Sequence, residues 1–136
     1  MARSRLPFET KPLPAEVSAL APDTTEIRVL LAGERGSMAH GTLASGSISL
    51  PVRHRTVEEI WYVLHGEADL WRKQGDREEI VRLRPGVSLT IPLGTAFQFR
   101  TVGAEAFRFL MVTMPSWPGD QECDVVDGIW DVGNGS

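Results

Sequence analysis

The sequence has only one cysteine, Cys123, among its 136 residues, which excludes an intrachain disulfide and indicates an ordinary thiol in a terminal segment. Long hydrophobic runs are also missing, and none approaches the roughly 18 apolar residues that a membrane helix requires. The first residues, MARSRLPFETKPLP, lack the apolar stretch of about 7–15 residues at the centre of a secretory signal. These absences predict a cytoplasmic protein with no membrane partner.

Positive charge is scarce as well, with 14 Lys and Arg residues against 18 Asp and Glu and a net charge of −4. Because phosphate contacts dominate the affinity of proteins for nucleic acid, a chain without a basic excess is expected to have no nucleic-acid partner. The remaining composition is that of an ordinary globular domain, with 42% hydrophobic and 24% charged residues. A chain of this length can bury the core of one domain.

Residues 25–114 do not sustain a helical period over ten residues anywhere. Short runs rich in β-branched and aromatic residues alternate there with glycine-bearing turns, a pattern typical of a sandwich or barrel. We therefore predict one all-β domain over 25–114. Its predicted strands lie near residues 25–32, 37–44, 47–54, 59–65, 67–72, 77–83, 87–91, 96–102 and 106–114.

The two flanking segments do not share this pattern. Residues 1–24 contain four prolines, which fix φ and lack an N–H, and this predicts an irregular or extended arm with room for one helical turn over 15–20. The arm is either a partly ordered tail or a segment that packs on another subunit. Residues 115–136 contain two prolines and four glycines, but also apolar side chains such as Val125, Ile129 and Trp130. We expect this tail to run along the domain and bury them.

Two segments within 25–114 have specific spacings. The first reads GSISLPVRHRTVEEIWYVLHG and leaves six residues between Glu59 and Gly66. The second reads GVSLTIPLGTAFQFRT and leaves five residues between Gly86 and Pro92. These spacings resemble the two motifs of the cupin family. The resemblance covers most of the chain and implies the cupin fold, an antiparallel jelly-roll β-barrel.

The resemblance also bears on a metal. In cupins, two histidines and a glutamate of the first motif and a histidine of the second hold a divalent metal inside the barrel. In this sequence His54 and Glu59 match the second histidine and the glutamate, whereas Val52 and Phe97 stand at the other two ligand positions. Valine and phenylalanine cannot coordinate, and a catalytic metal generally needs about three protein ligands. The resemblance therefore implies at most a weakly bound Zn, Ni, Mn or Fe ion on His54 and Glu59.

Two further side chains are candidate donors that would complete such a site. His40 lies in an earlier predicted strand and either faces inward or is an ordinary strand or core residue. Gln98 follows Phe97 directly, and strand alternation should direct these two side chains to opposite faces of the sheet.

Alternation also predicts the composition of the interior. With His54 and Glu59 facing inward, an apolar and aromatic set of side chains should share their space. An apolar wall with few polar groups is typical of a small-molecule site, and the alternative is a filled core with a satisfied His–Glu pair. The predicted pocket residues are Val52, Trp61, Val63, Phe97, Phe99 and His40.

Two functional hypotheses follow. In the first, the protein binds a small organic ligand inside the barrel around His54 and Glu59, as a sensor or stabilising module. In the second, it is an enzyme in which these two residues are catalytic. The enzyme is either metal-dependent or a metal-free isomerase or cyclase-like protein, in which Glu59 orients His54 as the acid or base, as in the sugar epimerases among the cupins. Because exposed sheet edges tend to be paired or covered, we also predict a homodimer.

Overall fold

The regular structure of the chain is almost entirely β in the computed structural model, which describes residues 3–132. Its one helical element there is a 3-10 turn at Asp120–Glu122, and no helix in the described part is long and apolar enough to span a membrane. The strands are β1 (Ala19–Leu20), β2 (Glu26–Ala32), β3 (Ser37–Leu43), β4 (Val52–His54), β5 (Glu58–His65), β6 (Glu67–Gln74), β7 (Arg77–Leu83), β8 (Ser88–Ile91), β9 (Ala96–Val102), β10 (Phe107–Met114) and β11 (Cys123–Val125).

The strands form two antiparallel sheets. The six-stranded sheet has the order β1-β2-β3-β10-β5-β8, and the five-stranded sheet has the order β11-β4-β9-β6-β7. Neighbours in each sheet are often distant in sequence, since β10 lies between β3 and β5, and β4 lies between β11 and β9. Each sheet is thus built from strands of distant parts of the sequence. Each sheet also needs the other to cover its apolar face.

The prediction that the regular structure of residues 25–114 consists of strands is confirmed, and most predicted strands begin and end close to the observed residues. The main difference is the strand predicted over 47–54, which begins only at Val52. Pro51 has no N–H for a sheet ladder, so regular pairing starts after it. Before it, the chain makes only an isolated bridge between Ile48 and Arg100.

Aromatic side chains fill the interior at one end of the two sheets. On β5 the burial alternates strictly, with Glu59, Trp61 and Val63 inside. Each fully buried phenylalanine contributes roughly 1.5–3 kcal/mol through apolar burial, and aromatic contacts add to this. The rings of this cluster have centroids 4.2–6.0 Å apart and belong to Trp61, Phe99, Phe107 and Phe109.

The N-terminal arm is extended and largely exposed, with Phe8 fully exposed. Residues 15–20 contain no helical turn. Instead Ala19–Leu20 forms β1 and pairs with β2, so that part of the arm adds an edge strand to the six-stranded sheet. Residues 1–2 of the predicted arm and 133–136 of the predicted tail lie outside the described residues.

The C-terminal tail runs along the five-stranded sheet, but not by burying its aliphatic side chains. Val125 and Ile129 remain 66% and 41% exposed, so the expected burial was wrong for these two, whereas Val126 and Trp130 are half-buried. The buried amide of Gln98 holds the tail backbone instead: its Nε2 donates to the carbonyl of Trp130 at 2.8 Å, and its Oε1 accepts from the N–H groups of Ile129 and Trp130 at 3.0 Å. The Arg100 guanidinium lies 4.4 Å from the centre of the Trp130 ring.

Candidate functional site

A cavity of about 460 Å³ lies between the two sheets and borders the packed aromatic rings, since Trp61 and Phe109 of that cluster also line it. Side chains of both sheets line it, including those of β3, β4, β5, β9 and β10. Two segments outside the predicted domain complete its wall. One is the end of the arm over residues 19–25, and the other is the strap, defined here as residues 115–125.

Four of the predicted site residues come together on this wall: His54, Glu59, Trp61 and Phe97. The antiparallel pair between β4 and β9 sets Val52 opposite Phe97, which carries His54 to the same end of the interior. Glu59 reaches it from the other sheet, where it pairs with Thr113 of β10. The resemblance of the two segments to the cupin motifs therefore placed the central His and Glu correctly.

Three other predicted pocket residues do not reach the cavity. Val52, Val63 and Phe99 are completely buried, but they belong to the packed core behind the wall. Phe99 packs edge-on against Trp61, with ring centroids 5.1 Å apart. The inward orientation predicted for these side chains is right, and their assignment to the pocket is wrong because neighbouring rings fill the space around them.

His40 is also absent from the cavity wall. On β3 the cavity is lined by Ser37, Met38 and Ala39. Alternation turns the side chain after Ala39 to the outer face, where His40 lies between Arg28 and Leu110 of the neighbouring strands. Burial, together with the charges of Arg28 and Arg108, lowers the pKa of His40. The inward placement of His40 was therefore wrong.

Gln98 points away from Phe97, as alternation requires, and its amide is fully engaged with backbone groups of the tail and with the carbonyl of Ser49. It is a structural residue of the outer face. Neither candidate extra donor therefore faces the cavity.

The imidazole of His54 is held between aromatic rings. Phe97 and Trp117 each pack edge-on against it, with centroids 5.3 Å away. Burial lowers the pKa of His54 to about 4, against the opposing effect of the Glu122 carboxylate, so the ring is neutral at pH 7. Its Nδ1 has no hydrogen-bond partner in the described part of the chain, which is uncommon for a buried polar atom.

The carboxyl group of Glu59 accepts from neutral donors only. Trp61 Nε1 donates to Oε1 at 2.9 Å, and Thr113 Oγ1 donates to Oε2 at 3.3 Å. Burial raises the pKa of Glu59 to about 7, and the nearby Asp23 raises it further, while the two hydrogen bonds oppose the shift. Glu59 therefore exchanges a proton near neutral pH, and its hydrogen bonds go to Trp61 and Thr113 rather than to His54.

Asp23, Trp117 and Cys123 are among the wall residues that sequence reasoning missed. Asp23 is buried, and burial raises its pKa although the Thr25 N–H donates to it at 3.0 Å. Cys123 lies directly opposite His54 in the β4–β11 pair, and burial together with nearby carboxyl groups raises the pKa of its thiol to about 12. All three lie in segments without a repeating hydrophobic pattern, so nothing in the sequence indicated that their side chains face the interior.

The strap is attached at both sides of the cavity. The Glu122 carboxylate accepts from the Thr56 hydroxyl at 2.6 Å and from the Val57 N–H at 2.9 Å. Burial works against its ionisation, but these hydrogen bonds outweigh burial and lower the pKa of Glu122. At the other side, the Trp117 N–H donates to Ser37 Oγ at 3.1 Å. The strap therefore closes the cavity as a fixed part of the wall.

The donors on this wall do not fit the metal that the cupin pattern implies. No group of three or more His, Cys, Asp or Glu side chains within residues 3–132 is arranged to hold a metal ion. Phe97 stands where the second motif would supply an imidazole, and both oxygens of Glu59 already accept hydrogen bonds. We therefore derive no chemistry from a bound metal.

Comparison with known proteins agrees with the fold. Residues 39–113 match the family model described as the cupin domain. No curated protein sequence is similar enough to count as a match.

Similar solved structures include KdgF from Halomonas sp., with a TM-score of 0.61 and 17% identity over 74% of this chain and 87% of that chain. The cupin domain of Cnp3 from Schizosaccharomyces pombe has a TM-score of 0.59 and 15% identity over 67% of this chain and 64% of that chain. Oxalate decarboxylase from Bacillus subtilis at pH 4.6 has a TM-score of 0.63 and 15% identity over 80% of this chain. The chain spans only 28% of that decarboxylase. Such identities show a shared fold and nothing about activity.

Proposed function

The chain belongs to the cupin family, and from this premise we propose that its two sheets close into the family's barrel and that the cavity between them binds a small organic molecule. The observation that carries the proposal is the cavity itself. Its volume of about 460 Å³ lies in the range of small-molecule sites, roughly 300–1,000 Å³, and its wall combines apolar side chains with a few polar groups.

The alternative of a filled core with a satisfied His–Glu pair is less well supported. Glu59 bonds to Trp61 and Thr113, and His54 keeps a buried Nδ1 without a partner. A buried polar atom left unpaired costs about 1–3 kcal/mol, which a ligand donor or acceptor would recover. The pair therefore resembles a binding site more than a structural contact.

A second candidate function is metal-free acid–base catalysis in the same cavity. The pKa of about 7 for Glu59 favours it, because an efficient general acid or base has a pKa near the operating pH. With a pKa of about 4, His54 is a weaker base, so Glu59 is the better candidate for proton transfer and His54 for orienting the ligand. Oxalate itself is a poor candidate substrate, since no described residue of the wall is Lys or Arg.

A variant that fills the cavity tests the proposal. Ala39→Leu adds three carbon atoms to the wall, and Ala104→Leu makes the same change in an exposed turn. Ligand-detected NMR with a set of neutral, cationic and anionic small molecules should find ligands that bind the native protein and Ala104→Leu but not Ala39→Leu. The absence of any ligand, or ligands that bind all three proteins equally, would overturn the proposal.

The homodimer and the cytoplasmic location predicted from the sequence are proposals too. Phe8 is fully exposed on the extended arm, and a second copy of the chain is the simplest partner that would bury it. Light scattering should give about twice the chain mass of 15.0 kDa, and deletion of residues 1–14 should shift it toward the monomer. A native particle with the mass of one chain would contradict the dimer.

A further inference from the structure

The charges on the cavity wall have one sign. Asp23 and Glu59 line it and are 8% and 4% exposed, Asp120 lies at its exposed rim, and no described residue of the wall is Lys or Arg. In the part of the chain that the structure describes, none of these three acids takes part in an ion pair. Within residues 3–132, the hydrogen-bond donors to Asp23 and Glu59 are neutral groups, such as the Thr25 N–H and the Trp61 indole.

Buried carboxyl groups are normally paired with a cation, because burial of an isolated charge is costly. The chain offers such partners elsewhere: Asp69, on the outer face, is bound by both Arg82 and Arg100. Asp23 and Glu59 therefore differ from the other largely buried acids in facing a cavity from which basic side chains are absent.

The same wall is rich in aromatic rings, contributed by Trp61, Phe97, Phe109 and Trp117. Trp61 and Phe97 stand at 86° to each other with centroids 5.7 Å apart. Phe109 is stacked between Trp61 and Phe107, which leaves Trp61, Phe97 and Trp117 as the rings that could contact a ligand. Aromatic rings attract an organic cation, and the interaction is worth about 2 kcal/mol or more when the cation is desolvated. Other parts of the wall are aliphatic, including Ile27, Leu30 and Met111.

From this combination we infer that the cavity is selective for organic cations, in which an ammonium group is carried on an apolar skeleton. The inference rests on the proposed function of the cavity as a binding site. A cation bound beside Asp23 and Glu59 favours their ionised forms over the neutral forms that burial favours, and these carboxylates then supply the countercharge. The rings contact the ammonium group, and the aliphatic side chains contact the skeleton. An anion of the same shape would meet only like charge and is excluded.

Three probes of nearly equal shape separate charge from shape: choline, its uncharged analogue 3,3-dimethylbutan-1-ol, and the anion 3,3-dimethylbutanoate. Titrated into the full chain by calorimetry or NMR, choline should bind at least tenfold more tightly than the alcohol, which corresponds to about 1.4 kcal/mol. The anion should bind more weakly than the alcohol.

Two variants locate the effect. Asp23→Asn keeps an acceptor for the Thr25 N–H but removes the charge, and it should bring the ratio of choline affinity to alcohol affinity below threefold. Glu105→Gln removes an exposed charge beside His65 and should leave the preference intact. If Asp23→Asn fails to fold, Trp117→Leu removes one ring of the strap and should lower the same ratio.

Equal or tighter binding of the alcohol would overturn the cation inference while leaving the cavity as a binding site. The cation inference also falls, and the cavity remains a binding site, if none of the three probes binds but other molecules bind the native protein and not Ala39→Leu. If no small molecule binds at all, the proposed function falls as well.

Discussion

Strand β5 runs from the cavity into the packed core, and the inward side chains at its two ends have different surroundings. Val63 is completely buried among aliphatic and aromatic side chains, whereas Glu59, four residues earlier on the same face, lines a cavity of about 460 Å³. The strand alternation is the same at both positions. The difference comes from what surrounds each position: Phe99 and Phe107 fill the core, while the arm and the strap enclose the cavity. Regular strands thus build the interior, and irregular segments enclose the cavity within it.

The strongest test of this difference is to truncate one ring in the packed core and one ring at the cavity. Phe99→Ala opens a void in close-packed core and should destabilise the protein by about 3–5 kcal/mol. Phe97→Ala enlarges a space that already exists, so its cost should be smaller by at least about 1 kcal/mol. Urea unfolding of both variants measures the difference. Equal losses would mean that the cavity end is as closely packed as the core.

A second comparison concerns the acids that hold the strap. Glu122→Ala leaves the buried N–H of Val57 without an acceptor and should cost about 2–3 kcal/mol. Asp124, one residue beyond Cys123, pairs with Arg55 at the surface, and Asp124→Asn should have a far smaller effect, because exposed ion pairs contribute little. The two variants are compared by urea unfolding. A larger loss for Asp124→Asn would show that the strap is held from outside.

The two central ionisable groups should give opposite pH dependences. The folded state keeps the proton of Glu59 up to about pH 7, so its contribution makes stability fall as pH rises from 4.5 to 7. His54 resists protonation down to about pH 4, so its contribution makes stability rise between pH 4 and 6.5.

Glu59→Gln removes the first contribution and should make the slope of stability against pH more positive by up to about 1.4 kcal/mol per pH unit between pH 5 and 6.5. His54→Gln should change the slope in the opposite direction. Urea unfolding across this range measures both slopes. Slopes that match the native protein in both variants would contradict the burial of these groups.

The smallest expected effect concerns the tail. Gln98→Leu removes the amide that binds the backbone of Ile129 and Trp130 and the carbonyl of Ser49. The cost should be about 1–2 kcal/mol, because the freed groups of the tail can reach water and only the Ser49 carbonyl stays buried. Hydrogen exchange at these two amides should become fast while exchange in β5 stays slow. Unchanged protection at Ile129 would show that the contact of Trp130 with Arg100 is sufficient to hold the tail.

The strands could be predicted because they follow from residue patterns over several positions, and the pair His54 and Glu59 because the spacing of two segments resembles the cupin motifs. The alternation rule failed at His40, because β3 turns its small residues Ala39 and Gly41 inward. A Cβ atom at Gly41 would lie only 2.7–2.8 Å from side-chain atoms of Phe109 and Met111, so the interior there is filled from the neighbouring strand. A rule that places the larger side chains of a strand in the interior therefore assigns the side chains of β3 to the wrong faces of the sheet.

The missed residues had a different cause. Asp23 and Cys123 are positioned by β1 and β11, strands of two and three residues that exist only because longer strands offer an edge to pair with. Periodicity over two or three residues is not detectable. The strap itself depends on Glu122, whose partners at Thr56 and Val57 are more than 60 residues away in sequence. Contacts of this kind are properties of the folded chain and leave no local pattern.

The most direct test of the binding cavity is methyl NMR of the full chain during titration with choline and with 3,3-dimethylbutan-1-ol. Met111 and Ile27 line the cavity, while Val63 and Leu70 belong to the closed core. A ligand in the cavity should shift the methyl signals of the first two residues progressively and leave those of the core pair nearly unchanged. If neither molecule shifts Met111 and Ile27, or if the shifts fall on exposed methyl groups such as those of Leu93, the cavity is not a binding site.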